Sequence, residues 1–110
     1  MRSKKGPRMR LEVKKMKYIV YWEFKPEDGM KVSEIAQKLR EDMKKHPDKY
    51  PKLLFPSHLM VGERRGFYVI EASAEQMMNT TLFYRQTMKF KFVPIVKSSE
   101  MVAAAQRMEQ

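Results

Sequence analysis

The order of strands and helices along the chain constrains its fold more than any other sequence feature. The two kinds of element are recognised by the different spacing of their apolar residues. Residues 17–25, 57–63, 67–72 and 89–97 are short runs rich in β-branched and aromatic side chains, which is typical of strands. Residues 30–46 place apolar side chains on one helical face, and a capping box at Ser73 predicts a second helix that ends near residue 87. Ser98 or Ser99 is expected to cap a short C-terminal helix with its own apolar stripe.

The order β-α-β-β-α-β predicts an α+β fold of the ferredoxin-like type, an antiparallel sheet with both main helices on one face. In that topology the first and third strands are central, and the second and fourth lie at the edges. Pro94 fits an edge strand, since proline has no N–H to donate. Residues 47–56 hold three prolines and are expected to form a loop, and Gly66 is expected to supply the turn between the second and third strands.

Side chains alternate across a strand, so parity assigns each one to a face of the sheet. One set contains no charged side chain and is expected beneath the helices: Tyr18, Val20, Trp22, Phe24, Leu59, Val61, Tyr68, Ile70, Ala72, Phe90, Phe92, Pro94 and Val96. The other set mixes seven apolar or aromatic groups with four ionisable ones: Ile19, Tyr21, Glu23, His58, Met60, Phe67, Val69, Glu71, Lys91, Val93 and Ile95. A face this apolar is expected to be covered by a partner.

Composition excludes several classes of chemistry. The chain has no cysteine, so disulfides, zinc–thiolate sites and thiol catalysis are excluded, and no paired-histidine motif predicts a metal. We therefore expect no metal and no cofactor. No apolar run approaches the roughly 18 residues of a membrane helix, and no apolar stretch of a signal peptide follows the basic start. These features favour a cytoplasmic protein without a membrane partner.

The net charge of +10 is concentrated at the N-terminus. Residues 1–15 hold seven of the 23 basic residues and one of the 13 acidic ones, a net +6, which leaves +4 for residues 16–110. We expect a basic, disordered extension over 1–15 and a folded domain over 16–110. The extension is either an electrostatic arm for nucleic acid or upstream sequence without a function, the true start then being Met16.

Three stretches carry a resemblance to a known family. They are the opening "MKYIVYWEFKPED", the strand "GFYVIEAS" that leads into a capped helix, and "FKFVPIV" with its internal proline. From Met16 to about Ala104 the chain resembles a family of short uncharacterised prokaryotic proteins, a domain of unknown function in the dimeric α+β-barrel superfamily. The resemblance implies a homodimer joined through the open sheet faces around a barrel, with a small ligand in or near it, and it implies no particular activity.

Related barrels include isomerases and cofactor-free oxygenases, which makes a small cofactor-free enzyme the first alternative. His58 is then the candidate for proton transfer, because histidine is the usual side chain for that role, with Glu23, Glu71 or Tyr21 as its partner. The candidate ligand contacts are Phe67, Lys91 and Trp22, with Lys91 binding an anionic group. In the competing interpretation, the ionisable groups pair with one another or across a dimer seam and only fix its register.

The second alternative is a module that binds single-stranded nucleic acid. The third strand, "RGFYVIEA", matches the RNA-binding signature at Arg65, Gly66 and Phe67, but Val69 and Ala72 stand where that signature has aromatic residues. Each missing stacking platform removes on the order of 1–3 kcal/mol of binding. Phe67, Tyr21 and the basic extension would carry this function.

Overall fold

Four strands and three helices make up the described part of the chain. The computed structural model describes residues 14–109. The strands are β1 (Met16–Glu23), β2 (Lys52–Leu59), β3 (Arg65–Ala72) and β4 (Lys89–Ile95), and the helices are α1 (Gly29–Lys45), α2 (Ala74–Tyr84) and α3 (Ser98–Met108). Short 3₁₀ turns, Pro26–Asp28 and Pro47–Lys49, precede α1 and β2. Apart from Lys14 and Lys15, the basic extension lies outside the described residues, so the division at residue 15 stays a prediction.

The strands form one antiparallel sheet in the order β2-β3-β1-β4. As predicted, the first and third strands are central and the second and fourth are edges. The α+β class is therefore confirmed, and the arrangement is consistent with a ferredoxin-like fold. Pro94 lies in the edge strand β4 opposite Tyr18, where a missing N–H leaves only one ladder position unpaired.

Two buried clusters form the core on the helix side of the sheet. Val20, Ile70 and Ala72 are buried where β1 and β3 meet, as parity predicts. The second cluster joins α1 to the end of α2 and the loop before β2, and it contains Val32, Leu39, Tyr50 and Tyr84. Phe90 packs against both clusters. The helices thus cover most of the face that carries no charged side chain, but Pro94 and Val96, predicted on this face, are exposed.

The second strand differs from the prediction. It runs from Lys52 to Leu59 rather than over 57–63, so Leu53, Leu54 and Phe55 belong to a strand and not to a loop. Its pairing with β3 shifts register on both sides of Phe55, and Pro56 lies within the second shift. An edge strand tolerates such irregularities because only one side is paired. The shifts break the period of two, and Leu59 and Val61 are exposed instead of lying beneath the helices.

The glycine that makes the turn is also different from the one expected. Gly62 adopts a positive φ of 85° in the turn after β2, which glycine does at little cost. Gly66 is buried within β3, and a Cβ there would overlap the carbonyl oxygen of His58 and the indole of Trp22. Gly66 therefore permits a close approach and does not form the turn.

The capping box at the start of α2 is confirmed. The amide N–H of Gln76 donates to the Ser73 hydroxyl (3.2 Å), and that of Ser73 donates to the Gln76 side-chain oxygen (3.0 Å). The Gln76 amide nitrogen also donates to the carbonyl oxygen of Asp48 (3.0 Å), which ties α2 to the second 3₁₀ turn. The helix ends at Tyr84, because Arg85 takes a positive φ of 52°.

The C-terminal helix α3 has little support from the rest of the fold. It begins after Lys97, whose side chain makes no capping hydrogen bond, so neither predicted serine is the cap. Met101, Val102 and Met108 are exposed, and α3 makes no substantial contact with another element of residues 14–109. Over residues 14–109, no helix combines the length and the apolar character needed to cross a membrane.

Candidate functional site

The sheet face opposite α1 and α2, called the open face below, is a grid of cross-strand neighbours. Its two middle rows are largely apolar or aromatic. One contains Phe67 and Tyr21 between the ionisable His58 and Lys91, and the next contains Phe55, Val69, Ile19 and Val93. Cross-strand pairs of aromatic and β-branched side chains stabilise a sheet, but these remain half-buried or exposed. The open face thus presents a continuous apolar centre to its surroundings.

Stacked rings line one side of the open face. The Phe55 ring stacks on His58, with centroids 4.7 Å apart, and lies 5.9 Å from Phe67. Tyr21 adds a fourth ring, 6.4 Å from Phe67. Phe55 was missed in the sequence because its surrounding prolines indicated a loop.

Charged side chains border the apolar centre at both ends. At one end Glu23 lies opposite Arg65 on β3 and Lys89 on β4. At the other end Glu71 lies opposite Lys17 and Lys52. Within residues 14–109 the single ion pair joins Arg65 to Glu63, so neither of these two carboxylates is engaged in one. Each end therefore offers both signs of charge.

The predicted catalytic residues are only partly brought together. His58 and Tyr21 flank Phe67 in one row, and His58 Nδ1 donates to the carbonyl oxygen of Pro56 (2.7 Å). Glu71 lies four residues along β3 from Phe67, roughly 13 Å at the rise of a strand. Glu23 lies at the opposite end of the face. The His58 imidazole therefore lies among aromatic rings, and neither carboxylate is placed beside it as a partner. The catalytic roles of these residues stay predictions.

The predicted ligand contacts divide between the two faces. Phe67 and Lys91 lie in the same row of the open face, on either side of Tyr21. Trp22 lies on the other face, where its indole N–H donates to the Ser57 hydroxyl (3.0 Å). The three residues therefore do not share one face of the sheet, and their roles as ligand contacts stay predictions.

A cavity of about 410 Å³ lies on the Trp22 side of the sheet, between α1, α2 and the strands. We call it the helix-side cavity. Its wall is largely apolar and includes five aromatic rings: Trp22, Phe24, Tyr68, Tyr84 and Phe90. Small-molecule sites occupy roughly 300–1,000 Å³ and have mostly apolar walls. The helix-side cavity falls within that range.

Few polar groups reach the helix-side cavity: one guanidinium, which only donates hydrogen bonds, and hydroxyl groups, which donate or accept them. Arg40, exposed on α1, extends into its wall, as do the phenols of Tyr68 and Tyr84. Burial raises the pKa of Tyr68 and of Tyr84, and the nearby Arg40 guanidinium partly offsets the rise for Tyr84. Both phenols are thus held in the protonated form at neutral pH.

The sequence carries a faint signal for Arg40. It lies at the margin of the apolar stripe of α1, one residue after Leu39 and four after Ala36, and no acidic residue stands three or four positions away on either side. An arginine without a helical partner beside an apolar face is available for another anion. Tyr84, at the end of α2, carried no comparable signal.

Metal chemistry has no support in the described residues. No group of three or more histidine, cysteine, aspartate or glutamate side chains over 14–109 is placed to hold a metal ion.

These features define a small α+β domain with an apolar open sheet face and a cavity beneath its helices. The model of the DUF3303 family, a domain of unknown function, matches residues 16–109, and the chain belongs to this family. No curated protein and no solved structure matches the chain.

Proposed function

We propose that the protein works as a homodimer, in which two ferredoxin-like sheets pack face to face as a dimeric α+β barrel, and that this dimer binds a small molecule. The observation that carries the dimer is the apolar centre of the open face, which spans all four strands. Exposed patches of this kind mark interaction surfaces, and a second copy offers a surface of the same composition.

The charges at both ends of the open face support a twofold arrangement. Each end carries one carboxylate between two cations, so either end of a second copy meets groups of opposite sign. Glu23 and Glu71 are engaged in no ion pair within residues 14–109. Such charges specify register and orientation more than affinity.

The size of the face gives α3 a part in the dimer. Four strands at about 4.8 Å and seven residues at about 3.3 Å give a face of roughly 19 by 23 Å, or about 440 Å². A stable interface buries about 800 Å² on each partner. The exposed Met101, Val102 and Met108 of α3 provide the additional apolar surface.

Sedimentation velocity of the full chain tests the dimer. Val69→Lys places a charge at the centre of the open face, and we expect it to weaken self-association at least a hundredfold while the far-UV circular dichroism stays unchanged. Val61→Lys is the matched control, since Val61 is 97% exposed in the turn after β2. Ile19→Lys repeats the test on β1 should Val69→Lys fail to fold. A monomeric wild type, or a Val69→Lys chain that is folded and still dimeric, would refute the proposal.

The ring cluster of Phe55, His58, Phe67 and Tyr21 favours one second candidate, the binding of single-stranded nucleic acid on the same face. Bases stack on such rings, and Lys91, opposite Tyr21 in the same row, supplies a cation for a phosphate. Titration of labelled single-stranded RNA at two salt concentrations separates the two functions. If the face is a dimer interface, Phe67→Ala leaves any RNA binding unchanged, and that binding is steeply salt-dependent because it comes from the basic extension.

A further inference from the structure

The helix-side cavity is an apolar cleft that opens to solvent, since Arg40, Leu53 and Ser57 in its wall are exposed. A volume of about 410 Å³ would hold roughly a dozen waters at about 30 Å³ each. An apolar space of this size is filled poorly by water, because its wall gives each molecule few hydrogen-bond partners. It is suited to an organic ligand instead.

The charge of the cavity wall determines whether an anionic or a cationic ligand is favoured. Arg40 is the one charged residue in the wall, and no aspartate or glutamate lines it. Arg40 also has no carboxylate within 4.0 Å among the described residues. A cation with no local partner at the mouth of an apolar cavity attracts an anionic group and disfavours a cationic one.

The hydroxyl groups of the wall point to the same ligand. No hydrogen bond to another described side chain or to the backbone involves the Tyr68 or Tyr84 hydroxyl, and yet no buried side-chain polar atom over 14–109 is left without a partner. Both hydroxyls are therefore accessible from the cavity. Ser57 accepts the Trp22 N–H and keeps its own proton to donate. These donors suit the oxygen acceptors of a carboxylate.

The aromatic rings of the cavity wall favour a ligand that contains a planar apolar ring. Trp22 and Phe24 stack with an interplanar angle of 5°, and Tyr84 meets Phe90 edge to face at 5.5 Å. Aromatic walls contact a planar ring through stacked or edge-to-face geometry, which adds about 0.5–1.5 kcal/mol per pair beyond the area buried.

We propose that the helix-side cavity binds a small aromatic carboxylate, with its ring among Trp22, Tyr68 and Phe90 and its anionic group at Arg40. This inference rests on the proposed small-molecule function and supplies its ligand class. The ligand enters from the Arg40 side, where the cavity opens to solvent, and its carboxylate accepts hydrogen bonds from the guanidinium and the Tyr84 hydroxyl. The open face takes no part in the site.

Trp22 is the only tryptophan of the chain, so its emission reports directly on the cavity. The full chain is titrated with phenylacetate, with neutral phenylacetamide and with cationic phenethylamine. We expect saturable quenching by phenylacetate, binding of the amide at least tenfold weaker, and no saturable change with the amine. Absence of saturable phenylacetate binding, or equal binding of the amine, overturns the inference.

Variants locate the site. Arg40→Gln is expected to weaken phenylacetate binding at least tenfold and to abolish the preference over the amide. Lys38→Gln removes the same charge from the same helix without touching the cavity and should change neither. Ala36→Leu fills the cavity and should abolish binding of both compounds. If Arg40→Gln keeps the preference, the carboxylate is not at Arg40 and the inference is wrong.

The two proposals fail separately, because the cavity variants leave the open face intact. Light scattering on each titrated sample gives the mass. Loss of phenylacetate binding in a sample that is dimeric counts against the ligand class alone, whereas a wild-type monomer that binds phenylacetate counts against the dimer alone.

Discussion

Gly66 is the residue on which the contact between three strands depends. It lies in β3, and the carbonyl of His58 on β2 and the ring of Trp22 on β1 both occupy the space of its missing side chain. The backbone there needs no positive φ, so the glycine is required for space and not for conformation. Both candidate surfaces depend on it, since His58 faces one and Trp22 the other.

Gly66→Ala is expected to lower the free energy of unfolding by about 2–4 kcal/mol, because backbone on an adjacent strand must move to admit the methyl group. Gly62→Ala is the matched control. It strains a positive φ but meets no atom within 4 Å, so it should cost about 1–2 kcal/mol. Urea unfolding of both variants makes the comparison, and an equal or larger cost at Gly62 would contradict this account.

Tyr50 gives stability a dependence on high pH. It is buried, and its hydroxyl donates to the Asp42 carboxylate. Burial, followed by this hydrogen bond and the carboxylate charge, raises the pKa of Tyr50 to about 12. A folded-state pKa above the unfolded value means that the folded protein holds the proton more tightly. The contribution is complete below about pH 10, the ordinary tyrosine value, and is lost as pH rises towards 12.

The wild type should therefore lose about 1–2 kcal/mol of stability through Tyr50 between pH 10 and pH 12. Tyr50→Phe should be less stable at pH 7 and show a shallower decline above pH 10. Asp42→Asn keeps the phenol and removes the neighbouring charge, so its decline should be intermediate. Urea unfolding at pH 7, 10 and 11.5 measures all three, and identical slopes for wild type and Tyr50→Phe would refute the assignment.

At the scale of elements, sequence reasoning succeeded where one period governs a whole segment. β1, β3 and α1 each keep a single period, so their faces were predicted correctly, and Ser73 with Gln76 fixed the start of α2. The edge position of β2 was predicted, but its bounds and the facing of its side chains were not, because Pro56 and two register shifts break its alternation. The helix-side cavity was missed for a related reason. Its wall comes from two helices and all four strands, and only tertiary packing brings Arg40 near Tyr84.

The helix α3 has apolar side chains that no other described element of the same chain covers. We expect Met101→Lys to weaken self-association about tenfold, because the charge replaces an apolar side chain that is 70% exposed in one copy and covered in the proposed pair. Ser99→Lys adds the same side chain on the opposite face of α3 and should leave association unchanged. Sedimentation velocity gives both values. Equal association of the two variants would place α3 outside the interface.

At the scale of the whole molecule, the sheet separates two environments with different chemistry. The helix side holds an aromatic cavity that opens to solvent beside Arg40, whereas the open face is apolar at its centre and charged at both ends. Trp22 and Tyr21, adjacent in β1, point to opposite sides of this division. A ligand site and an interface can therefore coexist in a domain of this size without sharing a side chain.

The two edge strands, β2 and β4, also limit the addition of further strands to the sheet by other copies of the chain. β4 carries Pro94, Lys89 and Lys91 along its edge, and β2 carries Pro56 and two irregularities along the other. Prolines, lysines and bulges of this kind prevent a further strand from pairing at an edge. These edges oppose lengthening of the sheet by additional copies, and in the proposed dimer the pairing of the faces uses up the apolar surface of both partners. Assembly in the proposed arrangement ends at two copies, which opposes the formation of fibres in a concentrated solution.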